Sequence, residues 1–482
     1  MTRKKVFLSA FVFVGFVLWC YPLFLKTTFG PVSFEQFLFH LMNPLKGTHP
    51  KLYIKGIGYA FLLPLLLSAL YRRPSLFLPK KWKQKVICWE VSRWQGRLAV
   101  LSFMAAVAFQ IHVLKIGEWY ESVSNPTTIF KDYYRVLNPE EVQFKQKKNA
   151  VLIYMESIEN TYGDMSVFQK NYIPELKKLE RENMSFRRFY QYPGTQWTMA
   201  GVFSGLCGIP LKIPLRGTRL DMFKTFVPGA KCIPEVLAAN GYRTEMILGS
   251  NAEFSGMDNF AKGHGFNAYW GIQEIEREKG KLTPDMMGHG WGLNDEAMFG
   301  FAKERIKAAA ATGKPFFFVL ETMDTHFPNG YFNPRICARV ENNMTDAVSC
   351  SSKQIDAFVK WIQEQPFGKD TAVILLGDHI AMANDVYGEL KKNPSRQVVN
   401  IFMNGISSKK AVEREFGTFD FAPTILTYLG AILPDDSWGI GRNLMSKSKT
   451  LTEEMGFEKV KREIQRYSAE YQALFQERSQ QK

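Results

Sequence analysis

Two threonines, Thr195 and Thr198, lie in the stretch PGTQWTMAGVFSGLCGIPL between Pro193 and Leu211. A Pro-Gly turn precedes them, and a run of small residues that reads as helix follows. A hydroxyl just past a turn at a helix start sits near backbone N–H groups and the positive end of the helix dipole. That place suits a nucleophile that must carry a phosphoryl group. Threonine is also a favoured helix cap, so the stretch gains chemical meaning only from its company. Glu156 follows one apolar run within MES, Asp324 and His326 follow a second within ETMDTH, and Gly377, Asp378 and His379 follow a third. Carboxylates and imidazoles with a threonine oxygen form a donor set suited to zinc or manganese. Such a metal lowers the pKa of a bound hydroxyl and neutralises phosphate charge, which a hydroxyl nucleophile needs near neutral pH. Each residue also has a plainer role: Glu156 as a cap, His379 as a core histidine, the Asp-His pair as a loop. The plainer roles leave their collection at one edge unexplained.

The elements that must position these residues are read from the hydrophobic pattern. Ala150–Met155, Phe316–Leu320 and Ala372–Leu376 are continuous apolar runs, as expected of parallel strands buried on both faces. Helical stretches lie between them at Ile233–Asn240, Asp295–Ala309 and Lys353–Gln365. The pattern predicts an α/β domain with a mainly parallel sheet flanked by helices. In such sheets ligands bind beyond the carboxyl ends of the strands, where the candidate residues fall.

Ahead of this domain the chain changes character. Val6 to Leu25 is apolar and uncharged, long enough to span a bilayer. It is read as an uncleaved helix and not as a signal peptide, because no small-residue cleavage site follows. Gly56–Tyr71 and Leu98–Leu114 are two further spans, each bounded by basic residues that can snorkel. Gln110 and His112 leave a buried core helix as the alternative for the third. Arg3, Lys4 and Lys5, and Arg72, Arg73, Lys80, Lys81, Lys83, Lys85, Arg93 and Arg97 between the second and third spans, mark the cytoplasmic side. Three crossings then put everything after about residue 115 outside. The resulting division is a transmembrane region over 1–115, a linker over 116–148, a catalytic domain over 149–450 and a helical tail over 451–482.

The net charge of +15 over 482 residues suits a membrane surface, since much of it flanks the apolar segments; nucleic acid is not expected as a partner. None of the six cysteines forms a CxxC pair, which argues against a zinc ribbon or a thioredoxin-type site. Cys20 and Cys88 fall in or beside the membrane segments. Cys207, Cys232, Cys337 and Cys350 fall in the exported domain, where an oxidising compartment favours two disulfides. Cys207 with Cys232 and Cys337 with Cys350 are the local pairings, among three possible connectivities.

NAVLIYMESIENTYGD, PGTQWTMAGVFSGLCGIPL, DTHFP and LLGDHIAM, over roughly residues 149 to 445, resemble the phosphoglycerol transferases of the alkaline phosphatase and sulfatase superfamily. Within it the likeness is greatest to the branch that modifies periplasmic membrane-derived oligosaccharides. Lipoteichoic acid synthases and lipid A phosphoethanolamine transferases are more distant. The resemblance implies a divalent metal, Mn2+ or Zn2+, held by Glu156, Thr198, Asp378 and His379, with Thr198 as covalent nucleophile. The superfamily places a glycine ten residues after its nucleophile, and Gly208 stands so to Thr198. His326 matches the histidine that contacts the transferred phosphate or the leaving group. Trp291, Gly292 and Asp295, in HGWGLND, match a patch assigned here to substrate binding.

Two departures accompany the likeness. GSNAEFSGMDNF lacks the Trp and Arg that lipoteichoic acid synthases place in their substrate pocket, and the long extension of the oligosaccharide enzyme is not found after the catalytic region. The implied activity is transfer of phosphoglycerol from phosphatidylglycerol to a periplasmic or cell-surface glycan, by an enzyme in the bacterial inner membrane with its catalytic domain outside. The alternatives are phosphoethanolamine transfer to lipid A or a glycan, and a metal-free envelope scaffold. Sulfate hydrolysis needs a Cys or Ser convertible to formylglycine, which Thr198 is not. The tail, EEMGFEKVKREIQRYSAEYQALFQER, reads as a charged helix that packs on the domain or lies on the membrane.

Overall fold

The computed structural model describes residues 3–29, 34–42, 50–73, 93–213, 224–288, 290–341, 343–406 and 411–476. Lys80, Lys81, Lys83, Lys85 and Cys88, and the side chains of Arg3, Lys4, Lys5 and Arg93, lie outside the described residues. The chain divides into two compact units, Met1–Phe37 with Thr48–Glu121 and Leu38–Gly47 with Ser122–Lys482.

The first unit holds three long helices: α1 (Arg3–Phe29), α2 (Pro50–Arg72, through one π turn at Gly58–Leu62) and α3 (Arg93–Val113). Each contains a candidate membrane span, at Val6–Phe29, Pro50–Arg72 and Trp94–Val113. Their apolar side chains face outward to an extent no water-soluble core would leave: Leu65, Leu66, Leu101 and Met104 are all exposed. Phe11 stacks on Phe103 at 4.6 Å and Trp19 on Phe109 at 5.1 Å, joining α1 to α3. Gln110 donates to the Leu18 carbonyl at 3.2 Å, so this polar group is satisfied inside the unit. With its outer face exposed, α3 is a candidate span, and its exposed apolar face is not that of a buried core helix.

The second unit is built on a six-stranded sheet. In chain order its strands are β1 (Asn149–Met155), β2 (Arg243–Leu248), β3 (Ala268–Trp270), β4 (Phe316–Glu321), β5 (Thr371–Gly377) and β6 (Asn400–Met403). They lie in the order β3-β2-β4-β1-β5-β6, parallel throughout except β6, which runs antiparallel to β5. The three apolar runs are its centre. Ala150, Leu152 and Tyr154 pack into one hydrophobic core and Val151, Ile153 and Met155 into another, so both faces of β1 are covered. Continuous apolarity, not alternation, is the consequence.

Helix α4 (Thr198–Cys207) lies in the first core; α5 (Asp295–Ala310) and α6 (Met344–Glu364) line the second. Helix α6 begins well before Lys353, because Asn343 caps it by accepting the Thr345 N–H at 2.9 Å. The disulfides join Cys207 to Cys232 and Cys337 to Cys350. The region from Leu451 to Ala473 forms three short helices, α7 (Leu451–Met455), α8 (Phe457–Gln465) and α9 (Ala469–Ala473). Their apolar residues Leu451, Val460, Ile464 and Tyr471 belong to the first core.

Candidate active site

Strand register assembles the site. Met155 of β1 lies level with Gly377 of β5, and Tyr154 level with Glu321 of β4. The chain therefore leaves these three strands at one height, and the next residues become neighbours: Glu156, Thr322, and Asp378 with His379. Ser157 and Asp378 are 221 residues apart in sequence, yet the Ser157 N–H donates to Asp378 Oδ1 at 2.8 Å. Oδ1 also accepts the His379 N–H at 2.8 Å, and the Thr322 hydroxyl accepts the Glu156 N–H at 3.0 Å.

Helix α4 delivers a hydroxyl to the same point. Thr198 is its first residue and donates to Glu156 Oε2 at 3.0 Å. The helix comes close because Gly201 has no side chain: a Cβ there would lie 2.1 Å from the Asp378 carbonyl oxygen. Thr195 is placed elsewhere. It is fully buried and donates to the Tyr192 carbonyl at 2.8 Å, inside the turn.

Glu156, Asp378 and His379 offer donor atoms that all lie within 4.8 Å of one another. His379 Nδ1–H donates to the Ile380 carbonyl at 2.9 Å, which leaves Nε2 as the ring's outward nitrogen. That atom lies 3.3 Å from Asp378 Oδ2 and 3.7 Å from Glu156 Oε1. Asp378 Oδ2 and His379 Nε2 are buried and have no hydrogen-bond partner among the described residues. Buried polar atoms are nearly always satisfied. Two such atoms beside a carboxylate and a hydroxyl fit a divalent cation, by donor type and by the orphaned lone pairs. The electrostatics carry the same mark. Burial, then the charge of Glu156, pushes the Asp378 carboxyl up to about 7. Burial also raises Glu156, but charge on His326 and His379 with hydrogen bonds from Ser157 and Thr198 outweighs it and holds that carboxyl low. Burial works against charge on His379, and the two carboxylates override it and raise the ring.

His326 follows β4. Its Nδ1–H donates to the Phe327 carbonyl at 3.0 Å, and its ring centre lies 4.0 Å from that of Trp291. Trp291 in turn meets Phe254 edge-on at 6.0 Å. Asp295 is brought close but not into the site. Its Oδ1 accepts the N–H groups of Met323 and Asp324 at 2.6 and 3.1 Å, and its Oδ2 accepts the Ser351 hydroxyl at 3.2 Å. The carboxylate is fully buried, and through these bonds Asp295 braces the segment that carries His326.

Some contributors carried little sequence signal. Ser157 donates its hydroxyl to Glu156 Oε1 at 2.6 Å from a left-handed backbone at φ 55°, a conformation a non-glycine residue adopts rarely. Its place directly after a strand-end carboxylate, in MES, was the available clue. Thr322, and Thr325, whose hydroxyl donates to the Glu156 carbonyl, lie in ETMDTH but act on a neighbouring strand end, which local sequence does not reveal. A second cluster, Cys232, Glu235 and His264, is closed to metal because Cys232 is bonded to Cys207.

The sulfatase family model matches residues 148–431. The phosphoglycerol transferase I of Salmonella choleraesuis (strain SC-B67) is 32% identical over 324 residues, covering 66% of this chain and 41% of that protein. The same figures hold for phosphoglycerol transferase I of Salmonella arizonae. The chain thus spans about two-fifths of the length of these relatives. Among solved structures, the lipoteichoic acid synthase LtaP from Listeria monocytogenes superposes with a TM-score of 0.52 at 18% identity, covering 65% of this chain and 83% of that one. An alkaline phosphatase superfamily protein from Vibrio parahaemolyticus gives 0.51 at 22% identity, covering 63% and 71%. At these identities the likeness to solved structures establishes the fold: an α/β unit with a mainly parallel sheet.

Proposed function

This chain belongs to the sulfatase family, and from that premise we propose that it is a membrane-anchored phosphoglycerol transferase. It takes the group from phosphatidylglycerol in the outer leaflet and passes it to a glycan hydroxyl through a covalent intermediate on Thr198. The observation that carries the reading is the Thr198 hydroxyl, 3.0 Å from Glu156, at a helix start beside the orphaned Asp378 Oδ2 and His379 Nε2. The name shared by the relatives supports the choice of transferred group, and the three candidate membrane spans suit a lipid donor.

Glu156, Asp378, His379 and the Thr198 oxygen would hold the divalent cation, manganese or zinc, which would lower the hydroxyl pKa and neutralise phosphate charge. Glu156 orients the Thr198 oxygen for attack on the donor phosphorus. The Thr198 proton passes to Glu156, the acceptor of its hydrogen bond, as the new bond joins Oγ1 to phosphorus and the bond from phosphorus to the diacylglycerol oxygen breaks. His326 hands a proton to that departing oxygen, its ring held by the Phe327 carbonyl and Trp291. The N-terminal amides of α4 face the phosphoryl oxygens. In the second half the glycan hydroxyl gives its proton to His326, now neutral, and attacks phosphorus; the bond from phosphorus to Oγ1 breaks, and Thr198 takes its proton back from Glu156 as the restored alcohol. Asp295, through Met323 and Asp324, keeps the His326 segment in place.

The test uses the full chain in detergent with labelled phosphatidylglycerol and phosphatidylethanolamine, and added manganese or zinc. Diacylglycerol release from the glycerol lipid with glycerophosphate on Thr198 is the expected result. Turnover of the ethanolamine lipid instead would replace the donor, and turnover of neither would sink the reading.

A further inference from the structure

The segment that delivers Thr198 is gripped on both flanks by the C-terminal helices. Upstream of the turn, the Tyr192 hydroxyl lies 2.9 Å from that of Thr452 in α7, and the Tyr192 ring meets Phe457 of α8 at 5.1 Å. Tyr192 is also the residue whose carbonyl binds the Thr195 hydroxyl. Downstream of α4, the Tyr471 hydroxyl in α9 accepts the Lys212 N–H at 2.7 Å and lies 3.0 Å from the Pro210 carbonyl oxygen. The Lys212 side chain is buried, and its ammonium donates to the carbonyls of Ile464 and Arg466 at the end of α8. It also sits 5.4 Å from the Tyr471 ring.

The two flanks are tied to each other. The Leu211 N–H donates to the Gly194 carbonyl at 2.9 Å, and a Cβ on Gly194, at φ +80°, would lie 2.7 Å from the Leu211 carbonyl oxygen. The turn from Pro193 to Trp197 is thus closed against 210–212, and 210–212 is closed against the tail.

A buried ammonium is costly unless its donors are satisfied, and here the donors are met by the tail's own helix end, where carbonyls lack intrahelical partners. Simple tail docking needs only the apolar face of Val460, Ile464 and Tyr471. Other polar contacts tie the tail elsewhere, Glu453 to Arg414, Glu454 to Tyr133 and Glu463 to Thr127, but those of Thr452, Tyr471 and the end of α8 fall on the two flanks of one turn.

We infer that the C-terminal tail is a clamp that positions Thr198, acting through Lys212 and Tyr471 on one flank of its turn and through Tyr192 on the other. The inference rests on the reading of Thr198 as nucleophile. Lys212, Tyr471 and Thr452 are positioning residues; none touches the site.

The test compares the full-length parent with the Tyr471→Phe/Thr452→Val double variant, which deletes two oxygens and keeps the packing. Lys212→Met and Lys212→Arg form a second pair. Hydrogen exchange of the amides over 193–198 is measured beside the saturated rate and KM for diacylglycerol release. The double variant should exchange roughly fivefold faster in that segment, with strand β5 unchanged. Its saturated rate should fall about tenfold, with KM and bound metal per folded chain as in the parent. Lys212→Arg should recover most of what Lys212→Met loses. A tail that merely stabilises would lower the melting temperature and leave the rate per folded chain alone. Unchanged exchange, or faster exchange with an unchanged rate, overturns the inference. A covalent intermediate on another residue would remove the nucleophile reading separately, and the exchange of 193–198 would still judge the clamp. Should Lys212→Met not fold, the double variant carries the test.

Discussion

Asp378 and Asp295 are both fully buried aspartates at the same end of the sheet, and burial pushes both carboxyls up, to about 7 and about 6. They differ in what surrounds the second oxygen. Asp295 has donors on both oxygens, from Met323, Asp324 and Ser351. Asp378 has two amides on Oδ1, from Ser157 and His379, while Oδ2 has no hydrogen-bond partner among the described residues and faces His379 Nε2 at 3.3 Å. A complete donor set suits a brace; buried Oδ2 and Nε2 atoms without hydrogen bonds, side by side, suit the cation proposed above. Burial and a raised carboxyl alone do not separate a working residue from a supporting one. The hydrogen-bond account does.

The comparison can be broken most directly at the hydroxyl. Thr198→Ala should cut transfer by about a thousandfold or more and abolish the covalent adduct seen by mass spectrometry. Thr195→Val, which loses only the bond to Tyr192, should keep the adduct. Persistence of the adduct in Thr198→Ala would end the assignment. Next in size, Asp378→Asn and His379→Ala should each lower activity about a hundredfold or more and reduce metal per chain by elemental analysis. Asp295→Asn should leave metal content unchanged. Metal loss in Asp295→Asn would erase the distinction between brace and ligand.

A third expectation sharpens the same contrast through pH. Protons compete with the cation for Asp378, whose carboxyl stands at about 7 in the metal-free chain. Apparent metal affinity should therefore rise with pH through about 7 and weaken below it, as read by titration with manganese at several pH values. The smallest effect belongs to the brace. The Asp295 carboxyl at about 6 binds its proton more tightly than in the unfolded chain, where it titrates near 4. The stability this contributes is fully present below about pH 4 and is lost as pH rises through about 6. Asp295→Asn should flatten that slope in thermal melts and cost about 1–3 kcal/mol from imperfect replacement of its hydrogen bonds.

Local pattern made much of this legible. The apolar runs at Ala150–Met155, Phe316–Leu320 and Ala372–Leu376 fall within observed strands, because a strand buried on both faces has no polar alternation to obscure it. Three strands have no counterpart among those runs: Arg243–Leu248, an inner strand whose Arg243, Thr244 and Glu245 break the apolar run, and Ala268–Trp270 and Asn400–Met403. The last two are short and lie at the sheet's edges, where a few residues carry too little periodicity to read. The three candidate membrane spans overlap the sequence reading, the second starting at Pro50 where Gly56 was expected, since length and apolarity are properties of composition.

By itself, then, the sequence determined the α/β class, the spans, the identities of the strand-end residues and the likeness that places the chain in its family. Only the tertiary structure decided which threonine meets Glu156, that Asp295 takes donors from Met323, Asp324 and Ser351, and that the tail closes around the turn before Thr198. Each of these depends on contacts between segments far apart in the chain, such as Ser157 with Asp378 or Lys212 with Ile464. Such contacts are set by strand register and by how closely helices such as the one carrying Gly201 can approach. Register and approach distance are properties of the packed whole, which no local stretch of sequence contains.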